Sequence, residues 1–322
     1  MARKIFVAAT GQNSGKTTTS ISLLHLARRK YERVGFIKPL GPKPAMLLGR
    51  AVDKDAALEQ RCDFIVIEGS GHPGGGSVMK LSNARIARLL DAPVLMVTGG
   101  GVGNVVDTVS MNLALFRQEG AEVRAVMANK LIPEKRERIL DYLRRAMADD
   151  PLTLIGGFDY QPVLANPTLR RISRLLDLPL NGNRREMGRI IHHVQIGAAS
   201  TQRITELLKE SSLLIVTSSR DELLVTLANL YQMPEYRSRI AGLVIPGISP
   251  VSTITQRILD RSKIPYMRTQ KQTTAELYRI ITEDVSKITA EDTEKLDLVR
   301  ALAERSLDFE ALDALFAPSV SR

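Results

Sequence analysis

The run Ala9-Thr10-Gly11-Gln12-Asn13-Ser14-Gly15-Lys16-Thr17-Thr18 carries the residue types and spacing that phosphate chemistry requires. Small residues and glycines let a backbone curl until successive N–H groups point at one anion. A helix N-terminus behind such a turn adds a favourable dipole. Lys16 brings a point charge to the outer phosphates, and the Thr17 hydroxyl suits Mg²⁺. Gly11, Asn13, Ser14, Gly15, Lys16, Thr17 and Thr18 are therefore the candidate anion-binding residues. The strict pattern has Gly where Thr10 stands; the competing explanation is an ordinary strand-to-helix turn with a helix-starting Thr.

A second constellation follows. Asp63-Phe64-Ile65-Val66-Ile67-Glu68 is an apolar strand ending in an acid, the arrangement that sets a carboxylate beside Mg²⁺ or its water. A turn or helix-capping acid is the alternative for Glu68. The loop Gly69-Ser70-Gly71-His72-Pro73-Gly74-Gly75-Gly76-Ser77 suits either an anion cradle of backbone donors or a lid, with His72 its one titratable side chain. Asn129-Lys130 closes a further apolar run. An Asn there can offer a purine both donor and acceptor, or simply form a turn.

Positioning these residues requires a sheet. Strands are predicted at 5–9, 34–37, 64–67, 94–97, 123–128 and 152–155, alternating with helices at 18–30, 83–90, 105–119 and 134–148. That alternation predicts an α/β fold, a parallel sheet flanked by helices, with Thr10, Glu68, Thr98 and Asn129 all at its carboxyl edge. Residues 1–157 form this domain and 158–185 a connecting segment with a short helix at 169–176. A second, smaller α/β domain spans 186–288, with strands at 190–196, 213–217, 240–245 and 264–267 and helices at 201–209, 220–231, 253–261 and 273–281. C-terminal helices complete the chain over 289–322.

The 322 residues, 44% hydrophobic and 25% charged, match a soluble globular chain of two domains. No apolar run reaches membrane-spanning length, and Met-Ala-Arg-Lys before a strand is too short for a signal peptide. One cysteine, Cys62, excludes an intramolecular disulfide framework and fits a reducing cytoplasm; beside an apolar strand it is expected to be a buried filler. The net charge of +10 raises a polyanion partner, but aromatics are 4%, Trp is absent and no groove-reading motif occurs. The densest basic stretch, Arg170, Arg171, Arg174, Arg184, Arg185 and Arg189, is expected on a solvated or interdomain surface, and nucleic acid is not an expected partner.

Together these residues resemble the dethiobiotin-synthetase-like P-loop ATPases. More closely, the chain resembles such a module joined to a DRTGG domain, as in the N-terminal part of long phosphotransacetylases. The residues that carry this are Ala9 to Thr18, Gly35-Phe36-Ile37-Lys38-Pro39, Glu68-Gly69-Ser70-Gly71-His72, Asn129-Lys130 and Asn166-Pro167-Thr168. The resemblance implies ATP and Mg²⁺ as cofactors. Lys16 and Lys38 would be the catalytic lysines, Lys38 near the γ-phosphate or a carboxylate; Thr17, Glu68 and Asp53 would serve the metal, and Asn129 would face adenine. Two departures stand out. The stretch from Pro39 to Asp63 is shorter than in the related modules by about fifty residues, although Asp53 and Asp55 remain as metal ligands or as solvated helix acids. The DRTGG signature is degenerate, with Ser219-Arg220-Asp221-Glu222 and Ala241-Gly242-Leu243 in its place.

Three functions follow as expectations. The first is an ATP/Mg-binding protein with a regulatory or ligand-sensing second domain, its small-molecule ligand unidentified, assembled as a homo-oligomer. The second is an ATP-dependent carboxylate-activating ligase of dethiobiotin synthetase or cobyrinic acid diamide synthase type. The third is a basic polyanion binder. Phosphotransacetylase catalysis itself is not expected, because the chain ends at Arg322, where that domain would follow.

Overall fold

A computed structural model describes residues 2–39, 46–47, 50–51, 61–99 and 102–318. The chain forms two compact units, Met1–Gln161 with Leu296–Arg322, and Pro162–Lys295.

The first unit opens on β1 (Arg3–Ala9), α1 (Lys16–Ala27) and β2 (Val34–Ile37), followed by a small antiparallel ladder of β3 (Met46–Leu47) and β4 (Arg50–Ala51). Then come β5 (Phe64–Glu68), α2 (Asn83–Leu89), β6 (Val94–Gly99), α3 (Val102–Gln118), β7 (Val123–Asn129), α4 (Arg136–Ala146) and β8 (Thr153–Gly156). The sheet runs β2-β5-β1-β6-β7-β8 with every described pairing parallel. β1 is central because Ile5 to Ala9 are apolar on both faces and fully buried. Val105, Val109, Leu113 and Phe116 lie on one stripe of α3 and join the core with Ile139, Leu140 and Leu143 of α4.

The register puts the chemistry at one edge. Val7 pairs with Glu68 and Ala9 with Val97, so the turn after β1 emerges between the carboxyl ends of β5 and β6. This is where ligands sit in open parallel sheets.

The second unit contains α5 (Leu169–Leu176), β9 (His193–Ile196), α6 (Thr201–Glu206), β10 (Ser212–Ile215), α7 (Asp221–Leu230), α8 (Pro234–Arg237), β11 (Ile240–Pro246), α9 (Thr253–Ser262), β12 (Tyr266–Thr269) and α10 (Thr274–Glu283). Its parallel sheet, β12-β11-β10-β9, advances one strand at a time. Right-handed crossovers must then stack the connecting helices on one face. Accordingly Ile204 of α6, Leu223 and Leu227 of α7 and Leu259 of α9 share one core. Leu169 and Ile172 of α5 and Leu277 and Ile281 of α10 cover the other face.

Three expectations change. The segment from Pro162 is not a connector: α5 is buried because its apolar residues, spaced three and four apart, pack on Leu213, Ile215 and Val244. The strand expected at 190–196 shrinks to β9, because Ile190 bridges Thr168 and the Ile191 amide donates to the Pro167 carbonyl. The C-terminal helices are not a separate tail. From Leu296 onward they belong to the first unit. There α11 (Thr293–Ser306) buries Val299, Leu302 and Ala303, and α12 (Phe309–Leu315) buries Leu312. Phe309 lies 5.8 Å from the Phe64 ring, and Asp313 accepts from the Tyr31 hydroxyl at 2.8 Å and pairs with Lys30 at 2.9 Å and with Arg3.

Among the described residues no helix is long and apolar enough to cross a membrane.

Candidate functional site

The turn between β1 and α1 has an open, curled backbone. Asn13 and Gly15 both adopt positive φ, 58° and 104°, and Gly15 is the left-handed residue that starts α1. No side chain caps this helix, so its first amides keep their intrinsic role as anion donors. The Ser14 hydroxyl donates to the Gly11 carbonyl at 3.1 Å and tightens the turn from within. The Thr10 amide continues the β ladder to Val97, and its hydroxyl donates to buried Thr98 at 3.0 Å. Thr18 stands in the first turn of α1, half-buried. Gly11 is not sterically obliged: an added Cβ would meet only the Ser14 hydroxyl, at 3.8 Å.

Opposite this turn stands Glu68, 2% exposed. Its Oε1 accepts from the Thr17 hydroxyl at 3.2 Å and pairs with the Lys38 ammonium at 2.8 Å. Its Oε2 is buried with no hydrogen-bond partner. A buried carboxylate oxygen without a donor is costly. One that shares its carboxylate with a threonine hydroxyl at a phosphate-type loop suits a divalent cation. Among the described residues no cluster of three or more His, Cys, Asp or Glu could hold a metal by itself. Mg²⁺ does not need one, since it keeps waters and binds through one or two carboxylates with phosphate oxygens. Thr17 and Glu68 therefore fit Mg²⁺; Asp53 lies outside the described residues.

Lys16 reaches across to the glycine-rich loop, where its ammonium donates to the Gly71 carbonyl at 2.6 Å. That loop is fastened by Asn83, a buried residue that sequence reasoning passed over. Asn83 accepts from the Ser70 amide at 3.1 Å and donates to the carbonyls of Ser70 and His72, the latter at 2.6 Å. Ser82 caps α2 and leaves Asn83 free to turn back. Gly75 is required by close approach, because a Cβ there would lie 2.6 Å from the Ser70 carbonyl. His72 is exposed, while Asn83 and Glu68 are buried.

Asn129, 3% exposed, lies under the loop. Its Nδ2 donates to the Ser14 carbonyl at 2.9 Å, and its Oδ1 accepts from the Phe158 amide at 3.1 Å. The nearby cations Lys16 and Lys38, the uncapped helix start and one carboxylate make this edge suited to a polyanion that brings a cation with it. Cys62 is free and half-buried against the first core.

The basic stretch lies in the second unit, where four of its six arginines face three acids. Arg170 and Arg174 pair with Glu291 at 2.8 and 3.0 Å, and Arg171 with Asp284 at 2.6 Å. Arg189 faces Glu186 at 3.9 Å and donates to the Ser211 hydroxyl at 3.3 Å.

The fold and this site define the class: a P-loop α/β module followed by a second α/β domain. Residues 42–168 match the model of an AAA domain and residues 179–282 that of a DRTGG domain. The chain thus joins a dethiobiotin-synthetase-like P-loop module to a DRTGG domain. The phosphate-type loop precedes the first match, so its assignment rests on its own residues and geometry. A phosphate acetyltransferase of Synechocystis sp. is 22% identical over 76% of this chain and 42% of its own length. A cobyric acid synthase of Pelotomaculum thermopropionicum is 38% identical over 37% of this chain and 21% of its own. The chain spans less than half of either relative. The solved CBS and DRTGG regulatory region of Clostridium perfringens pyrophosphatase, complexed with diadenosine tetraphosphate, has 14% identity and a TM-score of 0.31, covering 57% of this chain and 71% of that one.

Proposed function

We propose that this chain binds ATP with Mg²⁺ at the head of α1 and serves as a regulatory or ligand-sensing module, related to the N-terminal region of the phosphotransacetylases. The observation that carries this reading is the buried Glu68 carboxylate, with Thr17 and Lys38 on one oxygen and no partner on the other. Amides of the turn from Asn13 to Thr17 would hold the phosphates. Lys16 would move from the Gly71 carbonyl to the outer phosphates, and Lys38 would neutralise charge at the γ-phosphate. Thr17 and Glu68 would hold the cation, which draws the phosphate oxygens together and offsets their charge. Local pairing of Arg170, Arg171, Arg174 and Arg189 favours this over a polyanion-binding role. The single cysteine fits a reducing cytoplasm as the compartment.

The test is thermal. A ligand that binds only the native state at a hundred times its Kd stabilises by about 2.7 kcal/mol. ATP with Mg²⁺ should raise the melting temperature, and Lys16→Ala should abolish the rise. A rise that persists unchanged in Lys16→Ala, or no rise in the parent protein, refutes the assignment.

A further inference from the structure

We infer that the open edge of β9 is a docking site for an extended acidic peptide, which joins the second unit's sheet as an added strand. The inference is independent of the nucleotide reading and uses residues of the second unit alone. β9 is the last strand of its sheet and, among the described residues, pairs only with β10. The amides of His193 and Gly197 point to β10, donating to the carbonyls of Ser211 and Ile215. Main-chain groups alternate in direction along a strand, so the N–H and C=O of Val194 and Ile196 face outward. That outer side is already used one step earlier, where Ile190 bridges Thr168 and the Ile191 amide donates to the Pro167 carbonyl at 2.9 Å. Among the described residues no segment continues this pairing past Ile191. An uncovered edge is a template for another chain.

The uncovered stretch lies in a cavity of about 420 Å³. The consecutive residues His192 to Gln195 all line it, with Tyr278 of α10 opposite. Successive side chains of a strand point to opposite faces, so a cavity that touches all of these follows the edge rather than one face. Val194 packs against the core that holds Leu277 and Ile281 of α10, which makes this helix the second wall. A groove between an edge strand and a helix suits a peptide that takes main-chain bonds from the strand. Gln195 Nε2 donates to the Leu207 carbonyl at 3.0 Å, whereas its Oε1 is buried with no donor. Buried acceptors are normally satisfied, and a ligand N–H would satisfy this one.

Charge selects the occupant. Lys209, His192 and His193 line the cavity, are exposed, and make no side-chain hydrogen bond or ion pair within the chain. The one acid in the lining, Asp284, is already held by Arg171 at 2.6 Å. Carboxylates on the incoming strand complement this unpaired ammonium and the two imidazoles. A second copy of the chain fits less well, because pairing β9 with β9 would set the same three side chains against each other.

Selection of a displayed random-peptide library on the intact chain supplies the probe, and titration calorimetry of the selected peptides, made synthetically, measures it. The selected peptides should be rich in Asp and Glu. Methylating one peptide nitrogen at a time removes one ladder donor and leaves every side chain in place. Affinity should fall by about tenfold at alternate positions and stay unchanged at those between, the period of a paired strand. Lys209→Glu, on an exposed side chain, should weaken binding by about tenfold or more without altering the melting temperature. Hydrogen exchange at the Val194 and Ile196 amides should slow on binding, while that of residues 10–17 stays as it was. Selection without acidic enrichment, a methylation series without the alternate pattern, full affinity in Lys209→Glu, or protection confined to other strands overturns the inference. Protection of Val194 that rises with protein concentration alone assigns the edge to a second copy and overturns it too.

Discussion

Thr17 and Glu68 face each other across the head of α1, 3.2 Å apart, with the second Glu68 oxygen buried and unpartnered. One residue comes from the turn after β1 and the other from the end of β5, and the parallel register Val7 to Glu68 aligns them. Lys38 pairs with the first oxygen at 2.8 Å, and the unpartnered second oxygen is the one that suits a further cation.

Glu68→Gln keeps the shape and removes the charge. The Mg²⁺-dependent part of ATP stabilisation should vanish, while any stabilisation by ATP without Mg²⁺ persists. At a hundredfold excess over Kd the missing increment is up to about 2.7 kcal/mol. Melting curves with and without EDTA check this, and an undiminished Mg²⁺ increment contradicts it.

Asn83→Ala removes the acceptor of the Ser70 amide and the donor to the Ser70 and His72 carbonyls. Leaving buried groups unpaired costs about 1–3 kcal/mol. Denaturant unfolding should show that loss, and proteolysis should cut first within residues 69–76. Unaltered stability with an unaltered cleavage pattern counts against a fastening role.

Gly15→Ala suffers twice, from the left-handed φ, worth about 1–3 kcal/mol, and from collision with Asn129. The double variant Gly15→Ala with Asn129→Ala should be less damaged than the sum of the two single changes, because the collision is removed once. Strict additivity in a double-mutant cycle argues against that contact.

Asp313 ties α12 to the start of the chain. Burial pushes its carboxyl up, but hydrogen bonds from Lys30, Arg3 and Tyr31 outweigh this and hold it below the usual carboxylate range. A depressed folded-state pKa contributes stability that is present above the unfolded value, about 3.9, and is lost as pH falls through the folded value. Asp313→Asn should therefore destabilise the chain at neutral pH by about 1–3 kcal/mol. Parent and variant should converge as pH drops below about 4. Unfolding measured across that range tests the sign: a gap that widens in acid contradicts it.

The sheet was legible in the sequence because stretches buried on both faces must be continuously apolar, as residues 5–9 of β1 and 64–67 of β5 are. That the loop and Glu68 meet at one edge was legible because each follows a strand of the same parallel sheet. Asn83 was not, because its partners are main-chain atoms of a loop, which leave no mark in side-chain type; the nearby glycines were the only hint. Asn129 was picked out, yet its contacts with Ser14 and Phe158 depend on register between distant segments. The place of α11 and α12 in the first unit was hidden for the same reason. Their apolar stripes announce a buried face but do not say which core receives it.

Electron density at the head of α1, in crystals soaked with ATP and Mg²⁺, tests the central claim most directly. Phosphates on the amides from Asn13 to Thr17, Lys16 turned from Gly71 to the outer phosphates, and a cation touching Thr17 and Glu68 are expected. Nucleotide bound elsewhere, or an unchanged loop at saturating ATP, would contradict it.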